Sequence, residues 1–346
     1  MVKTNLIGRR QFLGAATATL GVLAAPAVLR AQTLKLRLHH FNSPLSISHK
    51  LFLVPWAERL AEATDGALQI QVFPSMQLGG KPGELYSQVK DGIVDMIWTL
   101  PGYTANRFPL TEVFELPFVG RPAVETSPAV NEFAKKHFQD EYSDTHPILF
   151  HTNAPGQLHT RSTAIRTLAD MKGLQIRGPS RPITAALEAM GAVPVGMPVP
   201  AVTEAVSRGI VEGAALPWTI ARPIRLHEVT KYHTLLEFYV SVFALIMNKQ
   251  RWEALPAEIQ QAIDAASTTE FVRELGVMWD EDEKPGYDLA VEAGDEIIEL
   301  SPDVRAEFEA ACEPVLQEWV DRTDAAGLDG AALLADARQT IAKYAG

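Results

Sequence analysis

The sequence has only one cysteine, Cys312, in 346 residues. A single cysteine excludes an internal disulfide, so the fold must be stabilised by packing. The nine histidines show no H-x-x-x-H spacing and no C-x-x-C pair occurs, so the sequence predicts neither a metal site nor a cofactor. The adjacent His39 and His40 are expected on one strand, where successive side chains point to opposite faces.

Sequence motifs of catalysis are missing as well. Gly79 and Gly80 lack the context of a phosphate-binding loop, and no G-x-S-x-G nucleophile motif occurs. The acidic run from Asp280 to Glu283 is more typical of a solvated helix face than of an acid/base pair. The sequence therefore favours binding over catalysis, and we expect a protein that is not an enzyme. An exported enzyme is the alternative.

After residue 31 no apolar run reaches the ~20 residues that a membrane span needs. Residues 1–31 carry a basic head with Lys3, Arg9 and Arg10, followed by an uncharged stretch rich in Ala and Leu. This pattern predicts a cleaved export signal and a periplasmic location, and the run RRQFLG at Arg9 resembles a twin-arginine signal. A Sec signal with a chance arginine pair and an uncleaved anchor are the alternatives.

Positive charge is scarce in the remainder. Subtracting the four basic residues of the segment 1–31 from the total of 31 leaves 27 against 42 acidic residues, a net charge of −15. An acidic surface argues against nucleic acid and anionic membrane as partners.

A chain longer than the roughly 250–300 residues at which one core stops growing is expected to form two domains.

Strands and helices alternate in the first half of the chain. Strands are predicted at Thr33–His40, Ala67–Phe73 and Val94–Leu100, with helices at Ser48–Thr64 and Pro82–Asp91 between them. This β-α-β-α-β order is the unit of a mostly parallel sheet. The first strand runs into a loop that begins Phe41-Asn42, which we expect at the carboxyl edge of the sheet.

The same order returns between Thr167 and Trp218. Strands are predicted at Leu174–Arg177 and Val193–Val195, and a third apolar run ends at Pro217-Trp218. Ligands bind beyond the carboxyl ends of such strands, where this pattern places Arg177 and Trp218. A surface position for Arg177 and packing between domains for Trp218 are the alternatives.

The other segments are predicted more coarsely. We expect a helix at Val130–Phe138, a strand at Ile148–Thr152, and either one long strand or two strands within Lys231–Asn248. One helix of ~45 Å is expected from Pro256 to Pro285. A helix of that length could brace two domains. The tail from Pro302 to Gly346 is expected to be helical and capped at Ser301.

Three blocks of the sequence resemble DctP-type solute-binding proteins, the extracytoplasmic receptors of tripartite ATP-independent periplasmic (TRAP) transporters. The blocks are LADMKGLQIRGP with the following ALEAMGAVPVGMPVPAVTEAVSRGIVEGA, QIQVFPSMQLGGKPGELYSQVKDGIVDM, and FALIMNKQRWEALPAEIQQAIDAA. The resemblance is collinear from about residue 34 to about residue 300.

The resemblance implies an α/β, two-lobed fold of the periplasmic-binding-protein type, with a mixed sheet in each lobe, a ligand cleft between the lobes and a long helix that braces both. It implies lobe I at residues 32–157 plus 242–275, lobe II at 158–241 plus 276–310, and C-terminal helices at 311–346 that pack on the lobes. It further implies a small organic acid as ligand, membrane subunits of a TRAP transporter as partners, and a monomer. A component that presents its ligand to a sensor is a further alternative.

The resemblance also implies a site. In the family an arginine after the K-G-L-x-I motif clamps the ligand carboxylate with two parallel hydrogen bonds, and Arg177 holds that position. Leu216 stands where the family has an asparagine, which favours a carboxylate with an apolar or aromatic body. The candidate ligand-binding residues are Arg177, Arg161, Trp218, Leu216, Phe41, Asn42, Tyr103, Trp98 and Phe238.

Overall fold

The computed structural model describes residues 33–345, and the predicted export signal lies outside them. The strands of this part of the chain are, in order, β1 (Leu34–His40), β2 (Leu68–Phe73), β3 (Met96–Thr99), β4 (Thr145–Thr152), β5 (Gln157–Thr160), β6 (Gln175–Gly178), β7 (Val193–Gly196), β8 (Gly213–Leu216), β9 (Tyr232–Leu235), β10 (Val242–Asn248) and β11 (Glu296–Glu299).

The α-helices lie between and after these strands. They are α1 (Val54–Ala63), α2 (Leu85–Lys90), α3 (Ala123–His137), α4 (Arg181–Ala189), α5 (Val202–Ser207), α6 (Trp218–Ala221), α7 (Lys249–Glu253), α8 (Ala257–Ala265), α9 (Thr269–Glu281), α10 (Glu283–Glu292), α11 (Pro302–Ala325) and α12 (Gly330–Tyr344). None of the helices within residues 33–345 combines the length and apolar character that a bilayer crossing requires.

The strands form two mixed sheets, one in each lobe. Lobe I has the order β2-β1-β3-β10-β4, with β1 parallel to β2 and β3, and β10 antiparallel to both of its neighbours. Lobe II has the order β11-β9-β5-β8-β6-β7, with β6 parallel to β7 and β8, and β5 antiparallel to its neighbours. Both predicted β-α-β-α-β units are therefore confirmed, and one such unit forms part of each sheet.

Two chain segments cross between the lobes and run side by side. The first joins β4 to β5, and the second joins β9 to β10, so the apolar segment Lys231–Asn248 forms two strands in different sheets. The backbone N–H of Gly156 donates to the carbonyl of Tyr239 at 2.8 Å, and Asn153 N donates to Ser241 O at 3.3 Å. We call these paired segments, residues 153–156 and 236–241, the hinge.

The prediction of one unbroken helix from Pro256 to Pro285 was wrong, because the region forms α8, α9 and α10. The first break lies at Thr268, whose extended backbone and side-chain hydrogen bond to Phe271 N begin a new helix. The second is a single turn at Asp282. Pro285 lies four residues after Glu281. Because a proline has no N–H, it cannot donate to the carbonyl of Glu281, which accounts for this break.

The α9–α10 pair nonetheless braces both lobes. Asp280 accepts the backbone N–H groups of Ala123 and Val124 at the start of α3, at 2.8 and 2.9 Å. Glu283 accepts those of Trp218 and Thr219 at the start of α6, at 3.0 and 2.7 Å. Two carboxylates of one helical pair thus satisfy the free N–H groups of one helix in each lobe.

The start of α3 also differs from the sequence prediction, which placed it at Val130. The helix begins at Ala123 and contains Pro128. Pro128 is the sixth residue of the helix and has no N–H to donate to the carbonyl of Val124, while Asp280 accepts the free N–H groups of the first turn. The predicted cap at Ser301 is confirmed, since its side chain accepts from Val304 N.

Candidate ligand-binding site

A small cavity lies between the lobes at the carboxyl ends of their parallel strands. Its volume, taken as the space open to the centres of water-sized spheres, is about 20 Å³. Its lining residues are Phe41, Asn42, Leu100, Tyr103, Asn153, Arg177, Pro179, Val199, Leu216, Pro217, Ile220, Tyr239, Ser241 and Phe243. All of them except Tyr103, which is half-buried, are buried, so the cavity is enclosed.

Arg177 reaches this cavity from the end of β6. The strand ends at Gly178, because Pro179 has no N–H for the next ladder position. The Arg177 side chain is fully buried, with 0 % of its surface exposed. Its Nε donates to the carbonyl of Met197 at 2.9 Å and its Nη1 to that of Ala215 at 3.1 Å. These bonds fix the plane of the guanidinium.

The guanidinium keeps unused donors that form a fork. Of its five N–H groups, one on each Nη is left after the bonds to Met197, Ala215 and the hydroxyl of Tyr103, the last at 3.5 Å. No carboxylate of residues 33–345 lies within 4.0 Å of Arg177. A buried cation without a counter-ion is costly, and the two remaining donors match the two oxygens of a carboxylate.

Tyr103 adds a donor from the opposite lobe. Its hydroxyl oxygen accepts from Val199 N at 3.0 Å and from Arg177 Nη2. Because that oxygen already accepts two N–H groups, its own proton remains free to donate to an anion. Burial raises the pKa of Tyr103, although the charge of Arg177 opposes the shift, so the hydroxyl is protonated at neutral pH.

Aromatic rings form the lobe I side of the cavity. Phe41 stacks on Trp98 with ring centroids 5.5 Å apart, and Trp98 stacks on Phe243 at 4.6 Å. Phe41 and Phe243 face the cavity, whereas Trp98 lies between them and supports both. Trp98 Nε1 donates to His151 Nε2 at 2.9 Å, which fixes the indole in the core. The wall offers flat apolar surface to a planar ligand.

The lobes are in contact around the cavity. Arg181, the first residue of α4 in lobe II, makes two hydrogen bonds to Glu112 of lobe I, at 3.1 and 2.9 Å. A methyl group at Gly102 would lie 2.5 Å from Cβ of Ser180, so a larger residue at position 102 would keep the lobes apart. Burial raises the pKa of the neighbouring Glu115 to about 7, which weakens its negative charge near the cavity.

The cavity has few groups that could carry out acid–base or metal chemistry. Its lining residues include no Asp, Glu, His, Cys or Lys. Residues 33–345 also bring together no group of three or more His, Cys, Asp or Glu side chains placed to hold a metal ion.

The structure brings together five of the nine residues that the sequence singles out. Arg177, Leu216, Phe41, Asn42 and Tyr103 line the cavity. A sixth, Trp98, lies directly behind the wall.

The other three lie elsewhere. Arg161 is about half exposed and forms an ion pair with Glu212 at 3.7 Å. Trp218 packs against His159 and His233. Phe238 lies in the core of lobe II next to Tyr239.

Sequence reasoning missed several residues that line the cavity. Asn153 directly follows the predicted strand that ends at Thr152, so its position at a strand end could have indicated it. Tyr239, Ser241 and Phe243 lie within one long apolar segment. Only the break of that segment at residues 236–241 reveals that Tyr239 and Ser241 lie in the hinge and that Phe243 lies at the start of β10.

Comparison with known proteins identifies the family. Residues 38–323 match family 7 of the bacterial extracellular solute-binding proteins, the DctP family. The C4-dicarboxylate-binding periplasmic protein of Rhodobacter capsulatus is 26% identical over 322 residues, which cover 91% of this chain and 96% of the relative.

Two solved structures are more similar. A TRAP solute-binding protein from a marine metagenome, specific for aromatic acid ligands and bound to metahydroxyphenylacetate, is 39% identical with a TM-score of 0.88, over 90% of this chain and 100% of the other. A TRAP solute-binding protein of Rhodoferax ferrireducens, with copurified benzoate, is 38% identical with a TM-score of 0.88, over 90% of this chain and 98% of the other. The two-lobed fold, the cavity between the lobes and these matches show that the chain belongs to the DctP family and is a solute-binding protein of the TRAP type.

Proposed function

We propose that the protein binds one aromatic monocarboxylate in the cavity between its lobes and delivers it to the membrane subunits of a TRAP transporter. The observation that carries the proposal is the buried Arg177, whose two free N–H donors have no carboxylate within 4.0 Å among residues 33–345. A ligand carboxylate would supply both the counter-ion and the two acceptors.

The lining residues support a single carboxylate. Arg177 is the one cation among them, so a second carboxylate would be buried without a partner. The rest of the cavity is largely apolar, with Leu100, Val199, Leu216 and Ile220 among its lining residues. A polyhydroxylated sugar acid would bury several hydroxyls against these side chains, at ~1–3 kcal/mol for each one that lacks a partner.

Two similar proteins support the aromatic part of the proposal. The marine metagenome protein is specific for aromatic acids, and the Rhodoferax protein carried benzoate through purification. Support for binding rather than enzymatic catalysis comes from the lining residues, which offer no Asp, Glu, His, Cys or Lys as a general base or nucleophile. A ligand-presenting sensor component would use the same cavity.

We propose the lobe boundaries that the family resemblance implies, with lobe I at 32–157 plus 242–275, lobe II at 158–241 plus 276–310, and the C-terminal helices at 311–346. The two sheets and the crossing segments support this division.

We also propose a monomer whose residues 1–31 direct twin-arginine export to the periplasm. Replacement of Arg9 and Arg10 by lysine should then leave the precursor in the cytoplasm, whereas continued appearance of the mature protein in the periplasm would favour Sec export.

A ligand screen tests the proposed function. The purified protein is heated with benzoate, benzamide, succinate and glucuronate, and the change in Tm is measured for each. We expect benzoate to raise the Tm, since a ligand at a hundred times its Kd stabilises the folded state by about 2.7 kcal/mol. Benzamide, which has the same shape without the charge, should give little or no increase. A screen in which glucuronate or succinate alone stabilises the protein would overturn the aromatic assignment.

A further inference from the structure

The hinge contributes polar atoms to the cavity that the carboxylate clamp does not use. Asn153 and Ser241 lie on the two hinge segments, line the cavity, and are 3 % and 2 % exposed. They are joined twice, because Asn153 N donates to Ser241 O at 3.3 Å and Ser241 N donates to Asn153 Oδ1 at 2.8 Å. Backbone hydrogen bonds therefore hold the pair in place where it lines the cavity.

These bonds fix the orientation of the Asn153 amide. Since Oδ1 accepts a backbone N–H, the amide nitrogen Nδ2 must form the other side of the group and carries two donors. Within residues 33–345 neither Asn153 Nδ2 nor Ser241 Oγ has a hydrogen-bond partner. Neither atom is among the fully enclosed side-chain atoms without a partner, so each keeps surface through which a ligand or water in the cavity can satisfy it.

The two atoms select one kind of ligand group. Asn153 Nδ2 only donates, whereas Ser241 Oγ both donates and accepts. No lining residue other than Arg177 carries a positive charge, so a second anionic group is disfavoured at the hinge. A hydroxyl can accept from Asn153 Nδ2 and donate to Ser241 Oγ, which satisfies both.

The lining of one small cavity places this hydroxyl on the ring. Arg177, Asn153 and Ser241 all line the same small cavity, so a carboxylate at Arg177 and a group at the hinge belong to one compact molecule. A benzene ring with a carboxylate and a hydroxyl has these two polar ends and an apolar middle. The middle would lie against Phe41 and Phe243.

We infer that Asn153 and Ser241 bind a ring hydroxyl of the ligand, and that they make the protein select hydroxylated aromatic acids over unsubstituted ones. The inference rests on the proposed function, since the carboxylate of the same ligand must bind Arg177. It assigns the hinge a role in specificity as well as in the connection of the lobes.

The test compares ligands that differ only in the hydroxyl. Kd is measured by calorimetry for benzoate and for 3- and 4-hydroxybenzoate, with the methylbenzoates as controls for size. We expect at least one hydroxybenzoate to bind about 3- to 10-fold more tightly than benzoate and than the methylbenzoate of the same substitution, as one or two neutral hydrogen bonds provide.

The variant Ser241→Ala then removes Oγ but keeps the backbone N–H that holds Asn153. We expect it to lose most of the advantage of the hydroxybenzoate, measured as the ratio of the Kd values of benzoate and hydroxybenzoate for the same variant, because benzoate has no hydroxyl to bond that Oγ. Ser267→Ala, a buried serine that does not line the cavity, is the matched control and should keep the advantage.

Three results would overturn the inference. They are equal binding of benzoate and both hydroxybenzoates by the parent protein, an unchanged advantage in Ser241→Ala, and loss of the advantage in Asn42→Ala but not in Ser241→Ala. The last would move the hydroxyl to Asn42, whose Nδ2 donates to Ser48 Oγ at 3.0 Å and whose Oδ1 is an acceptor on the opposite side of the amide. If no aromatic carboxylate binds the parent protein, the proposed function itself fails, which is a distinguishable outcome.

Discussion

The replacement of Arg177 is the sharpest test of how the cavity holds its ligand. Arg177→Lys keeps a positive charge but supplies one nitrogen with three donors in place of a planar fork with five. That nitrogen cannot reach the carbonyls of Met197 and Ala215 and also bond both oxygens of a carboxylate. We therefore expect the lysine variant to fold but to lose most of its affinity for benzoate.

The expected loss follows from the burial of the guanidinium. Arg177 has 0 % exposure, so its attraction to a bound carboxylate is not screened by solvent. Removal of one partner from a buried ion pair costs about 3–5 kcal/mol, because the other charge is left without compensation. This corresponds to roughly two to four decades in Kd. Arg177→Ala should lie at the upper end, because it removes the charge and every donor.

Calorimetry with benzoate at neutral pH measures the loss, and circular dichroism checks that each variant is folded. Arg161→Lys is the matched control, since Arg161 is about half exposed, pairs with Glu212 and does not line the cavity. Its Kd should stay within about twofold of the parent value. If Arg177→Lys bound benzoate as the parent does, the two-donor clamp would be wrong. A large loss in Arg161→Lys would place the carboxylate near Arg161 instead.

Two further predictions concern the frame of the site. Gly276→Ala should lower the free energy of unfolding by about 1–3 kcal/mol in a urea titration, because its methyl group would lie 2.3 Å from the carbonyl oxygen of Ala123. The control is Gly196→Ala, whose methyl group would meet no atom within 4 Å. It should change the free energy of unfolding by less than about 0.5 kcal/mol. Equal effects of the two changes would contradict this. Burial lowers the pKa of His151 to about 4 in the folded state. As the pH falls from 6.5 towards 4, the unfolded chain therefore binds a proton at His151 that the folded chain does not bind. The folded state loses stability over that range. His151→Gln should therefore flatten the pH dependence of stability by up to about 1.4 kcal/mol per pH unit between these values, and an unchanged slope would refute the assignment.

The neutral state of His151 is also visible in its hydrogen bonds. Its Nε2 accepts from Trp98 Nε1 at 2.9 Å, so this nitrogen carries no proton, and Nδ1 lies 3.2 Å from the carbonyl oxygen of Thr152 and donates to it. Protonation of Nε2 would place two donors face to face behind the aromatic wall. Trp98 thus has a structural reason to be aromatic that is separate from ligand contact.

Local patterns in the sequence were sufficient for the β-α-β-α-β unit of each sheet, whereas β5 and β11 of lobe II were not predicted. Strands such as β1 alternate apolar and polar residues, and β3 begins with three apolar residues before Thr99, so periodicity and length indicate them without knowledge of their neighbours. Arg177 follows from the same logic, because a proline two residues later ends its strand at the sheet edge. The break between α8 and α9 was missed because residues on both sides of it continue the helical spacing. Only Ser267 and Thr268 interrupt that pattern.

Trp218 shows why a position at a strand end does not by itself make a ligand contact. It follows β8 as predicted, but its backbone N–H is bonded by Glu283, and its ring packs against His159 and His233 inside lobe II. Gly286 of α10 packs closely against the backbone of Trp218, since a methyl group at position 286 would lie 2.4 Å from the carbonyl oxygen of Trp218. This packing holds Trp218 against α10. The brace and the ring contacts together direct the indole away from the cavity, and neither can be deduced from the sequence around Pro217.

The hinge residues depend on a contact that local sequence cannot predict. Asn153 and Ser241 are 88 positions apart, and each looks unremarkable in its own segment, one after a strand and one within an apolar run. Their roles arise only when the two crossing segments pair, because that pairing uses Asn153 Oδ1 and the backbone of Ser241 and leaves Asn153 Nδ2 and Ser241 Oγ for the cavity. Arg177 can be predicted because a carboxylate clamp needs one residue type at one strand end. The specificity at the hinge depends on which donors remain after the two crossing segments pair, and this is determined by tertiary structure.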